Sequence, residues 1–246
     1  MRRSAFAVAC STLPFGFAAS ALLVVGLEWL APDVIPFRLD TFLQSPLGFK
    51  DALTLIWPVL AVGVLMSLVF TIRSRDAQRY LARFGAEEGQ VVVLRPFPVF
   101  VSSALEEIAF RFVLFYAAIA GARFMDFLVL GFADLHPVRW LFADVLVPVA
   151  DFATAGRMRE ILLLSPWFVA AAVLASNGRF RNGHTYQGVL GWIFSWYFGM
   201  SLFLVMFEHG LPVAIAVHIF YNMTVVALNR VVTGVYPHLH IVPPTR

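Results

Sequence analysis

The chain has 246 residues, of which 60% are hydrophobic and 13% charged, with a formal net charge of +3 and a mean hydropathy of +0.81. That balance excludes an ordinary soluble domain. It describes a polytopic all-α membrane protein, a helical bundle with length for about seven spans (range six to eight) of roughly 20 residues each and no room for a sizeable separate soluble domain. The pI near 9.3 comes from arginines in the connections, which in such a protein report orientation and not a nucleic-acid partner. Cys10 is the only cysteine, so an intramolecular disulfide is excluded and a cysteine-based metal site is implausible.

Arg2 and Arg3 precede a long apolar run with small residues at Ala18, Ala19 and Ser20, a pattern that imitates a cleavable signal peptide. The apolar pattern continues to Leu30, however, so an uncleaved first span from about Ala5 to Leu30 is expected. A connection with Pro32, Pro36 and Pro46 leads to a second span over about Ala52–Ile72. The polar stretch after it carries Arg73, Arg75, Arg79, Arg83 and Arg95, which with Arg2 and Arg3 puts the N-terminus and this connection on the cytoplasmic side. Residues 1–95 thus supply two spans and a cytoplasmic loop to a single membrane domain covering residues 1–246.

Val99–Gly121 reads as the third span, entered from the cytoplasm, and it holds Glu106, Glu107 and Arg111 among apolar residues. A charge facing lipid at a helix centre costs about 2.5–3.5 kcal/mol, so these three must face protein or water. From Arg123 to Glu160, apolar runs alternate with Asp126, Asp134, His136, Asp144, Asp151, Arg157 and Arg159, and the pattern fits either one polar span or an interfacial helix with a short span. Ile161 to about Asn177 reads as a helix bent or interrupted near Pro166. The polar Gly178–His184 segment then reads as an irregular turn or a frayed helix start, and the last two spans are expected at Gln187 to about Phe207 and Leu211 to about Val231.

Glu107 and Arg111 stand four apart with the acid first, the favourable order for a helical ion pair. Glu106 lies about 100° around the helix from Glu107 and is not held by that geometry, which frees it for another task, including acid–base chemistry in a low-dielectric site. His218 and Asn222 share one face of the last span and both can donate to a developing negative oxygen; a helix–helix hydrogen bond is the plainer role for such a pair. Phe180 and His184 are also four apart, a weak signal alone in a chain with 25 Phe and six His.

Taken together, EExxxR, FxxxH and HxxxN occur in that order, each at a membrane helix or its end, and the run GLPVAIAVHIFYN leads into the last. Over residues 99–231 the chain resembles the CPBP family (CAAX-processing and bacteriocin-processing, also called Abi) of intramembrane glutamic proteases, related to type II CAAX prenyl proteases. The resemblance implies a core of the CAAX prenyl protease 2 type and an endopeptidase acting on a membrane-associated or lipidated peptide or protein; the compact, loop-poor chain itself suggests a bacterial inner membrane. Carried onto matching positions, it implies that Glu106 and His184 activate a water, that His218 and Asn222 stabilise the oxyanion, and that Glu107, Arg111 and Phe180 support them. No cofactor is expected, although Glu106, His184 and His218 are chemically competent zinc ligands. The reading requires His184 to approach Glu106 across the long polar connection.

HExxH and GxSxG are absent from the chain. Glu208–His209 resembles half a metal motif and is expected in a polar interfacial loop. Two competing readings keep the same residues: a non-catalytic binding, immunity or assembly protein with a polar cavity, and a small proton-coupled transporter using Asp144, Asp151 and Glu106.

Overall fold

The computed structural model describes residues 48–73 and 96–235 continuously, together with positions 18, 21, 22, 24–26, 28, 29 and 43. The arginine-bearing connection, the N-terminal arginines and most of the expected first span fall outside the described residues. Val24, from that span, is helical and fully buried in the core.

Every long element is a helix, and no strand occurs among the described residues. Helix α1 spans Phe49–Arg73, and α2 spans Pro96–Glu107. A π turn at Ile108–Val113 joins α2 without a break to α3, Leu114–Leu128. Two short helices follow, α4 at Pro137–Trp140 and α5 at Val147–Ala153, linked through a π turn at Leu141–Leu146. The remaining helices are α6 (Trp167–Gly183), α7 (Gly188–His209) and α8 (Leu211–Val235).

Four helices among the described residues are long and apolar enough to cross a membrane: Phe49–Phe70, Val99–Leu128, Thr185–His209 and Leu211–Asn229. The third span therefore runs beyond its expected end at Gly121 to Leu128. Helix α6, with 17 residues, is only about 25 Å long, less than the roughly 30 Å hydrocarbon thickness. The interruption near Pro166 is real. Ser165 adopts an extended ψ of 161°, as a residue before proline is pushed to do, and α6 begins immediately after Pro166.

The Arg123–Glu160 region resolves into a tight reversal followed by short helices. Leu130 and Asp134 both take left-handed φ values, 66° and 61°, around a 3-10 turn at Gly131–Ala133. Asp126 fastens this reversal: one carboxylate oxygen accepts from His136 Nδ1 at 2.8 Å and the other from the Arg139 backbone N–H at 2.9 Å. Asp126 thereby supplies a partner for the first turn of α4, which the sequence alone did not reveal.

Helix α7 is the centre of the bundle, packed against α1, α6 and α8, while α6 packs on α3 and α8 packs on α1 and α2. Contacts between α2 and α8 run in opposite directions along the two helices, from Ser103 with Asn222 to Glu107 with His218, so the pair is antiparallel. Gly63 of α1 sits against Phe194 and Tyr221, and Asn229 donates to Ser67 at 3.1 Å, so α1 runs parallel to α8. The end of α1, the start of α2, the end of α6, the start of α7 and the end of α8 consequently share one end of the bundle. Large apolar side chains such as Trp57, Leu65, Phe124, Phe127 and Phe152 point outward, as a lipid-facing surface allows.

Glu208 and His209 form the last turn of α7 and are not in a loop. Gly210, with φ 87°, ends the helix in a conformation that glycine adopts without strain, and its N–H bonds the Met206 carbonyl at 2.9 Å. Glu208 is exposed, and His209 covers Gly48 at the start of α1.

Candidate functional site

The three motif segments meet inside the bundle. Glu107 is the hub: its Oε1 lies 3.0 Å from Arg111 Nη1 and accepts from His218 Nδ1 at 2.7 Å, and the three side chains are 0–2% exposed. The i, i+4 ion pair expected from spacing is therefore present, with a histidine from the last span added to it. Arg111 also donates from Nη2 to the Gly199 carbonyl at 3.2 Å, and its guanidinium lies 4.2 Å from the centroid of the Phe180 ring. A buried guanidinium needs such partners, since an uncompensated charge in this environment costs several kcal/mol.

The π turn matters for this packing. It contains Arg111, and within it the Phe110 carbonyl accepts a short hydrogen bond from Ser176 of α6. One residue further along α6, Asn177 donates from Nδ2 to the Trp196 carbonyl of α7 at 3.0 Å. These two bonds tie α6 to both neighbours at the level of Arg111. Extra-wide turns of this kind commonly mark sites where a helix is bent to a task.

Close approach of α7 is allowed by Gly199. A Cβ there would collide with Asn177 Oδ1 and come within 2.9 Å of Phe180 and 3.1 Å of Arg111 Nη2. Gly199→Ala is expected to destabilise the protein by about 1–3 kcal/mol through overpacking. Gly121→Ala, where nothing lies within 4 Å of the added Cβ, serves as the matched control. Thermal unfolding in detergent micelles measures the difference.

Glu106, on the neighbouring position of α2, takes no part in the ion pair. Its side chain is 35% exposed, and its Oε2 lies 4.0 Å from His218 Nε2 with no direct hydrogen-bond partner. That gap is too long for a direct bond, but a single oxygen atom hydrogen-bonded to both groups spans it. His218 thus stands between the two acids, with Nδ1 on Glu107 and Nε2 toward Glu106.

His184 is the C-terminal cap of α6. The Gly178–His184 segment, expected to be irregular, continues the helix to Gly183 because Phe180 buries one of its faces against Arg111 and His218. His184 Nδ1 is 2.8 Å from the Phe180 carbonyl oxygen. A carbonyl only accepts, so Nδ1 carries the proton and the neutral ring leaves its lone pair on Nε2. The Phe180 ring contacts both histidines, its centroid 4.6 Å from that of His184 and 6.1 Å from that of His218.

Glu106, His184, His218 and Asn222 all line one cavity of about 270 Å³. Its walls include Phe180, Phe194, Phe198 and Tyr221, and Tyr186 and Gln187 contribute from the turn between α6 and α7. Asp144 and Asp151 do not line it. Among the described residues, no group of three or more His, Cys, Asp or Glu side chains is arranged to hold a metal ion, Glu106, His184 and His218 included.

Several residues that line the cavity or hold its lining carry no motif. Ser103, fully buried, accepts from Asn222 Nδ2 at 2.9 Å; it lies one turn before Glu107 on the same helix face, a signal that spacing alone offers. Phe198, with its ring centroid 5.2 Å from that of His218, and Tyr221 sit in apolar runs that give no such signal.

Comparison with protein-family models, curated proteins and solved structures finds no match to this chain.

Proposed function

We propose that the protein is an intramembrane endopeptidase of the CPBP type, hydrolysing a peptide bond of a membrane-associated substrate with a water activated by Glu106 and His184. The observation that supports this most is the meeting of Glu106, His184, His218 and Asn222, from three separate helices or helix ends, around one cavity. Residues distant in sequence rarely converge as unpaired acid, two imidazoles and an amide unless the cavity uses them.

The chemistry follows from the contacts. Glu106 and the free Nε2 of His184 are the groups able to take a proton from water in the cavity, and the hydroxide equivalent attacks the carbonyl carbon of the scissile bond. His218 and an N–H of Asn222 face the oxygen that becomes negative. Glu107 accepts from His218 Nδ1, which holds the ring in position. With Nδ1 donating to Glu107, His218 donates to the developing oxyanion from Nε2 when the ring carries both protons. The proton then passes to the leaving amine, and no covalent enzyme intermediate forms.

Orientation fits the same reading. The sequence between α1 and α2 carries Arg75, Arg79, Arg83 and Arg95, and Arg179 and Arg181 stand in the last turns of α6 at the same end of the bundle. By the positive-inside rule that end is cytoplasmic, and Glu106 lies roughly 15 Å of helix in from Pro96. A seven-span count, with the N-terminus in the cytoplasm of a bacterium, belongs to this proposal.

Purified protein in lipid vesicles, presented with a library of quenched-fluorescence peptides bearing apolar anchors, tests it. His184→Ala is expected to reduce cleavage by about 10²–10⁴, the usual worth of a general base, and a metal chelator to leave the wild-type rate unchanged. Cleavage by His184→Ala at the wild-type rate removes His184 from the mechanism, and loss of activity with the chelator returns Glu106, His184 and His218 to the role of metal ligands.

A further inference from the structure

Asn222 is held by a residue outside every motif, and the way it is held settles how its amide is turned. Ser103 is fully buried on α2, and its Oγ lies 2.8 Å from the Val99 carbonyl oxygen one turn earlier. A carbonyl cannot donate, so the single hydroxyl proton of Ser103 is committed to Val99. What Oγ offers to α8 is therefore a lone pair, and only an N–H can meet it. Asn222 does so with Nδ2 at 2.9 Å. The opposite amide orientation would set Oδ1 against the Oγ lone pairs.

We infer that Ser103 is a positioning residue for the proposed hydrolysis: through the Val99–Ser103–Asn222 relay it fixes the Asn222 amide so that a second N–H remains for the substrate oxyanion. This rests on the endopeptidase reading for its consequence, while the relay itself is independent of it. Asn222 has two N–H groups, of which one is spent on Ser103, and the residue lines the same cavity as Glu106 and His218. A free amide in that cavity would turn its carbonyl toward a cation or a donor as readily as its N–H toward an oxyanion. The relay removes that choice before substrate arrives, which is where oxyanion stabilisation gains its strength. Ser103 and Glu107 are also one helical turn apart, so α2 carries the two residues that orient the two donors, Ser103 for Asn222 and Glu107 for His218.

The test uses full-length protein in lipid vesicles with a peptide that the wild type cleaves. Ser103→Ala is expected to lower kcat about tenfold to a hundredfold with KM within about twofold, as misplacement of one donor does. Ser103→Thr, which keeps the hydroxyl, restores most of the rate. In an Asn222→Ala background, Ser103→Ala adds no further loss, because the group it positions is gone. A wild-type kcat in Ser103→Ala, or losses that multiply in the double variant, overturns the inference. A second readout separates this from failure of the endopeptidase reading: the side-chain amide resonance of Asn222 in 15N-asparagine-labelled protein, assigned by its disappearance in Asn222→Ala. Its proton shift moves on Ser103→Ala if the relay exists, whatever the protein's activity, and an unchanged shift contradicts the relay even if peptide is cleaved.

Discussion

Glu106→Gln is expected to lower peptide hydrolysis by about 10²–10⁴ while the protein still folds and inserts, because on the proposed mechanism the substitution removes the proton acceptor and little else. Its side chain is 35% exposed, and Oε2 has no direct hydrogen-bond partner, so an amide of the same shape fits without breaking a hydrogen bond. The neighbouring acid behaves in the opposite way, which makes the pair a controlled comparison. Two adjacent glutamates on one helix are set apart by a rotation of about 100°, one into the cavity and one into the packed interior. Single-turnover rates of the Glu106 variant, alongside its unfolding temperature in detergent, check both halves of the expectation. A rate near that of the wild type contradicts the role given to Glu106, and an unfolding temperature far below that of the wild type contradicts its separation from the packed interior.

Glu107→Ala is expected to cost about 3–5 kcal/mol of stability, the range for stripping one member from a buried ion pair. Glu107 is 0% exposed and holds both Arg111, at 3.0 Å, and His218, at 2.7 Å. Without it the direct contacts of the Arg111 guanidinium include the Gly199 carbonyl and the faces of Phe180 and Phe203, none of which carries a full negative charge. The double variant Glu107→Gln with Arg111→Met removes the stranded charge and is expected to recover a large share of the loss. Chemical unfolding of the reconstituted protein measures the difference. Equal stability of the Glu107 single variant and the wild type contradicts the buried cluster as described.

Much of the architecture was legible in the sequence because it follows from apolar length. The second and last two spans appear within a few residues of where the hydropathy placed them, the third starts at Val99 as expected but continues past Gly121 to Leu128, and the break at Pro166 follows from the stiffness that proline imposes on Ser165. The Glu107–Arg111 pair was legible too, since helical periodicity alone brings positions four apart together. The region between Arg123 and Glu160 was not, because its reversal depends on left-handed φ values at Leu130 and Asp134, residue types that do not announce them, and on Asp126 reaching ten residues ahead to His136. The continuation of α6 through Gly178–Gly183 was hidden for a related reason: polar residues suggest a turn, yet burial of Phe180 against Arg111 outweighs their local preference.

Within the site, spacing separated Glu106 from Glu107 but did not show what joins them. His218 does, with one ring nitrogen bonded to Glu107 and the other 4.0 Å from Glu106, and only tertiary packing places a residue of the last span there. Ser103 was overlooked because a serine in an apolar span has a ready local partner in the carbonyl one turn back, which Val99 indeed provides. The same bond turns its lone pair toward Asn222. Gly199 looked like any small residue in an apolar helix, whereas the close approach of Asn177, Phe180 and Arg111 leaves no room for a Cβ.

The central claim is that this bundle cuts peptide bonds with Glu106, and the most direct test requires no identified substrate. Membranes from cells making the wild type or Glu106→Gln at equal levels are compared by mass spectrometry of protein N-termini. New N-termini within or beside apolar segments, present with the wild type and missing with Glu106→Gln, are the predicted result. Identical N-terminal profiles for the two proteins, both correctly inserted, would contradict it.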